Sequence, residues 1–166
     1  MKSVIGDLTA IYSARQNFRK GINYKYLDEQ LKKKCGVESW ESTLFFTLFD
    51  SKNAAQVSFV NGLKELGWDI ETVKSKDVLP WRSSPTSYRF NAQIAYELTS
   101  CEDDIVVITD SLDLLGVMKK VHDEDPSVNM TVAFFGEALD PRWHKQINDP
   151  EAFFKFIDLD ELLYDS

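Results

Sequence analysis

Short apolar runs alternate with helically spaced segments along nearly the whole chain, and this alternation limits the fold more than any other feature. The runs SVIGDL (3–8), STLFFTLF (42–49), WDIETVKS (68–75), DIVVITD (104–110) and NMTVAFFG (129–136) are rich in the β-branched and aromatic residues that strands favour. Between them the spacing turns helical. Tyr24, Leu27 and Leu31 fall three and four residues apart, with Asn23 as N-cap and Gly36 as stop. Val57, Val60, Leu63 and Leu66 recur every third residue, and Phe90, Ile94 and Leu98 every fourth. Residues 111–125 read as a further helix, and FFKFIDLDELL (153–163) as a short strand running into a helical turn. Such alternation predicts βαβ units, and hence an α/β three-layer sandwich with a mainly parallel central sheet and helices on both faces. No internal repeat, low-complexity tract or linker divides residues 1–166, so a single domain is expected.

Composition narrows the setting. A chain 43% hydrophobic and 28% charged is an ordinary soluble globular one. No apolar stretch approaches the roughly 20 residues that span a bilayer, and MKSVIGDLTAIY does not read as a signal peptide. Cys35 and Cys101 lack metal-ligand spacing, and His122 and His144 have no partner at zinc spacing. A reduced, cytoplasmic protein without zinc is expected. Charge is divided unevenly: residues 1–100 carry 14 Lys/Arg against 11 Asp/Glu, and residues 101–166 carry 5 against 16. The balance excludes a protein coated nonspecifically in nucleic acid, because phosphate contacts rely on Lys and Arg. It leaves room for a local basic rim in the first half, and for either a solvated face or a dock for a basic protein partner in the second.

Ligands of open α/β sheets bind beyond the carboxyl ends of the strands, so acids at those ends are the first candidates for chemistry. Asp7 ends the first run, and Asp110 and Asp113 follow the fourth. If those two strands are neighbours, the carboxylates converge, and Mg²⁺ or Mn²⁺ favours such oxygen donors. A capping reading stands beside this one. Asp110 precedes SLD as an N-cap would, and Asp113 follows at capping-box spacing, where the helix dipole also favours acids.

Taken in order, these segments resemble the NYN domains, the LabA-like branch of the PIN-like nuclease superfamily. IGDLTAI (5–11) is similar to the family's FIDGxNL strand end, YKYL (24–27) to its YxxL helix, and FFTLFD (45–50) to FFYTGVD. QVSFVNGLKELGWDIETVK (56–74) follows its Q…FL…L…GY pattern, NAQIAYE (91–97) its DVxMxxD helix, and VITDSLDL (107–114) its LxSGDxDF strand end; FIDL stands at 156–159. The resemblance implies a metal-dependent nuclease, most simply a ribonuclease using Mg²⁺ or Mn²⁺. Asp7 matches the first metal-binding Asp and Asp113 the last. Asn91 replaces the Asp that opens the helix motif, Glu97 stands for its second acid, and Ser111 replaces the first Asp of SGDxDF, with Asp110 one position early. Ala10 replaces the Asn of FIDGxNL.

Two classes of function follow. In the first, Asp7, Asp113 and either Asp110 or Glu97 carry catalysis, and Asn91 adds a neutral oxygen to the metal. Lys74, Lys76, Arg82 and Arg89, in or beside the loop KDVLPWRSSPTSYR (76–89), would contact phosphates of RNA or another single strand, with Ser111 nearby. Trp81 and Tyr88 would stack on bases or simply pin the loop. In the second, the loss of charge at Asn91 and Ser111 leaves a nuclease-derived binding or regulatory protein. Its partners would be nucleic acid or protein, and self-association into a homo-oligomer stays open. No membrane partner is expected.

Overall fold

The computed structural model describes residues 2–17, 22–49, 51–74 and 90–163. β1 (Lys2–Asp7) leads straight into α1 (Leu8–Asn17), followed by α2 (Tyr24–Cys35), β2 (Thr43–Phe49), α3 (Ala54–Glu65) and β3 (Asp69–Lys74). The second half runs α4 (Asn91–Thr99), β4 (Asp104–Ile108), α5 (Leu112–Glu124) and β5 (Met130–Phe134). A 3₁₀ turn (Gly136–Ala138), α6 (Pro141–Ile147), β6 (Phe154–Asp158) and α7 (Leu159–Leu162) complete it.

All strand pairs are parallel, in the order β3-β2-β1-β4-β5-β6. The chain builds outward from β1 to β3, returns to the centre, and builds outward the other way from β4 to β6. Right-handed crossovers then place the two sets of helices on opposite faces. This is the three-layer α/β/α sandwich expected from the alternation. Strands covered on both faces are apolar without a break, and Val4, Ile5, Val106, Val107, Val132 and Ala133 are all buried.

Two helices were not expected. SVIGDL does not continue as a strand to Leu8: Asp7 Oδ1 accepts the N–H of Ala10 at 2.9 Å, which caps a new helix. At residues 140–147, Asp140 accepts the Arg142 N–H and Pro141 occupies the first turn, a start signal present in the sequence. The anticipated caps at Asn23 and Gly36 are in place, the latter in the left-handed region at φ 69°. Among the described residues no helix is long and apolar enough to cross a membrane.

The centre of the sheet leaves no room beside β1. The Phe45 ring stacks on Trp68 with centroids 4.2 Å apart, and a Cβ on Gly6 would lie 2.7 Å from Phe45 Cε1. Trp68 is fixed in turn: its Nε1 and that of Trp40 both donate to Asp28 Oδ1, at 3.1 and 2.9 Å. Gly6→Ala therefore forces a repacking beneath the site, and chemical denaturation should show a loss of about 1–3 kcal/mol. An unchanged midpoint would mean that the ring yields freely.

Candidate functional site

The sheet reverses direction between β1 and β4, which pair as Val4↔Val106 and Gly6↔Ile108. Asp7 thus stands beside Thr109, and the two strand ends open onto one crevice. The condition set by the sequence, that the first and fourth strands lie side by side, is met.

Three hydrogen bonds shape the turn that leaves β4, and a fourth lies on the β1 side. Thr109 Oγ1 accepts the Ser111 N–H at 3.0 Å. The Asp110 carbonyl accepts Trp143 Nε1–H from α6 at 2.7 Å. Asn91 Nδ2, at the start of α4, donates to Ser111 Oγ at 2.9 Å. On the β1 side Asp7 Oδ1 holds the Ala10 N–H. Asp7, Thr109, Ser111 and Trp143 are each 0% exposed. These four residues are closed off from solvent, and the bonds above hold most of the cluster's polar groups in place. Asn91 Oδ1 is buried without a hydrogen-bond partner among the described residues.

The capping alternative resolves in an unexpected way. The N-cap of α5 is Ser111, not Asp110, and Ser111 makes no side-chain cap bond. Its hydroxyl is turned to Asn91 instead. Asp113 is exposed in the first turn of α5, where the helix dipole favours it. It does not join the buried cluster.

The expected residues therefore divide. Asp7, Asn91 and Ser111 are gathered at the crevice, with Asp110 half-buried beside them. Glu97 lies two helical turns beyond Asn91 and lines a cavity with Ser3, Ser42 and Ile105, at the opposite ends of the strands. A helix rises about 1.5 Å per residue, so Glu97 is carried away from the crevice. Lys76, Arg82 and Arg89, with Trp81 and Tyr88, lie outside the described residues, and Lys74 ends β3. Thr109 and Trp143 were not expected. Thr109 had a weak signal, as a polar residue closing an apolar strand. Trp143 had none, because 33 residues separate it from Asp110.

The donor set does not fit a three-carboxylate metal centre. Among the described residues, no three Asp, Glu, His or Cys side chains come together as a metal-binding group. On α6, the Arg142 guanidinium and N–H hold the Asp140 carboxyl below its usual range. That cap is complete at neutral pH and weakens only as pH falls through the lowered value.

No family model and no curated protein matches the chain. Among solved structures, a protein of unknown function from Vibrio parahaemolyticus RIMD 2210633 is similar in fold. It matches at a TM-score of 0.64 and 12% identity, covering 95% of this chain and 93% of that one. At that identity the likeness shows the fold alone.

The Asn91–Ser111 bond is open to direct measurement. In a double-mutant cycle with Asn91→Ala and Ser111→Ala, urea denaturation should give a coupling energy of about 0.5–1.5 kcal/mol. Strict additivity would mean that the two side chains do not depend on each other.

Proposed function

We propose that the chain is a nuclease-like α/β protein of NYN type that acts as a binding or regulatory module for single-stranded nucleic acid, RNA foremost, with little metal-dependent catalysis. One observation carries this reading: a neutral hydrogen bond, Asn91 Nδ2 to Ser111 Oγ, occupies positions where the resemblance implies two acids. An amide and a hydroxyl supply no negative charge. Asp7, the best-placed carboxylate, is buried and has one oxygen committed to capping α1. The strand ends still form a crevice of the kind that receives ligands in α/β sheets. The free thiols of Cys35 and Cys101 support a reducing, cytoplasmic setting.

A second reading, a metal-dependent ribonuclease using Mg²⁺ or Mn²⁺, is favoured by the unpartnered Asn91 Oδ1. That oxygen, Asp7 and Asp110 are all hard donors of the type those ions take. Asp113 would have to turn inward to join them.

One pair of measurements separates the readings. Calorimetric titration with Mn²⁺ should show no binding in the millimolar range, and labelled single-stranded RNA should be bound and recovered intact. Micromolar Mn²⁺ binding, together with cleavage that Asp7→Asn abolishes, would establish the second reading and contradict the first.

A further inference from the structure

A second cavity lies beside the crevice, between α1, the end of β2 and the start of α3, with a volume of about 500 Å³. That size falls within the usual range for small-molecule sites, about 300–1,000 Å³. Among the described residues no charged side chain lines it. Its floor is apolar, from Leu48, Val60 and Phe59. Tyr24 packs edge-on against the Phe59 ring at 5.3 Å between centroids, which fixes that wall. Tyr12, on α1, lines the cavity while 57% exposed, an unusual position for so large a ring.

Its hydrogen-bonding capacity follows from the bonds already made. Thr47 Oγ1 donates to the Leu48 carbonyl at 3.1 Å, so in its 3.5 Å contact with Thr9 Oγ1 the donor is Thr9. Thr9 Oγ1 in turn accepts the Leu48 N–H at 3.1 Å. This ring of bonds uses both hydroxyl protons and leaves each oxygen one lone pair. Asn53 Oδ1 accepts the N–H groups of Ala55 and Gln56, which leaves its Nδ2 as a donor. The described wall therefore offers acceptors and a donor together, beside an aromatic ring.

We propose that this cavity holds a nucleobase, stacked on Tyr12, with its donor and acceptor edge against Thr9, Thr47 and Asn53. A planar heterocycle with a donor and acceptor edge matches the described lining in volume and polarity, and base–aromatic stacking does not depend on a particular base. The inference rests on the nucleic-acid reading above when the base belongs to a strand, and stands without it when the base is that of a free nucleoside. Leu8 and Thr9 directly follow Asp7, so a strand with one base in the cavity would run past the crevice.

The test uses the full chain with wild type, Tyr12→Ala and Tyr12→Phe, all checked as folded by circular dichroism. Anisotropy with labelled single-stranded RNA octamers should show binding weakened roughly five- to a hundredfold by Tyr12→Ala and retained by Tyr12→Phe. Saturation-transfer NMR should show adenosine or uridine bound to wild type and not to Tyr12→Ala. RNA binding that Tyr12→Ala leaves unchanged overturns the cavity proposal and leaves the nucleic-acid reading standing. Nucleoside binding without RNA binding supports the cavity and overturns that reading. Absence of both overturns the proposal.

Discussion

The pairing of β1 with β4 is the constraint on which everything else in this molecule depends. It joins the two halves of the sheet through the buried Val4, Ile5, Val106 and Val107. It reverses the direction in which the sheet grows, and so distributes helices to both faces. It also sets the ends of two strands next to each other with no covering crossover, which creates the crevice. Gly6 permits this pairing to coexist with the Phe45–Trp68 stack, since any larger residue would meet the Phe45 ring.

At the crevice, polar groups are used mainly to hold polypeptide in place. Asp7 starts α1, Thr109 orders the turn, Asn91 ties α4 to Ser111, and Trp143 reaches from α6 to the Asp110 carbonyl. Hydrogen bonds in a sealed site are costly to leave unmade, so each of these residues is needed structurally whether or not a ligand binds. The same logic accounts for the FIDL segment. Asp158 caps α7 by accepting the Asp160 N–H and also accepts the Gly136 N–H, joining β6 to the turn after β5.

Periodicity made the layers legible in the sequence, because strands buried on both faces must be apolar and surface helices must repeat every three or four residues. α1 was hidden for a physical reason: its cap, Asp7, looks from sequence like a strand-end ligand, and its residues carry no strong amphipathic stripe. α6 carries a legible start signal at Asp140-Pro141, but its seven residues are too few to show a helical period. Within the site, Asp7 was found because it ends a strand. The separation of Glu97 from Asn91 follows from helical rise, because α4 runs from the carboxyl ends of the strands toward their amino ends. The Trp143–Asp110 bond was out of reach, since spacing along the chain says nothing about which distant indole meets which carbonyl. Asp28, buried between two indole N–H groups, was hidden in the same way.

On the function proposed above, the neutral Asn91 and Ser111 stand at the crevice where a metal site would need further carboxylates. The most direct measurement is thermal unfolding of wild type and the Asn91→Asp/Ser111→Asp double variant, each with and without Mn²⁺. Two added buried carboxylates repel Asp7 and Asp110 and lower Tm in the absence of metal, and a divalent cation bound among them should restore it. The account predicts a Tm that rises with Mn²⁺ concentration in the double variant and stays level in wild type. An equal rise in both proteins, or none in the double variant, would contradict it.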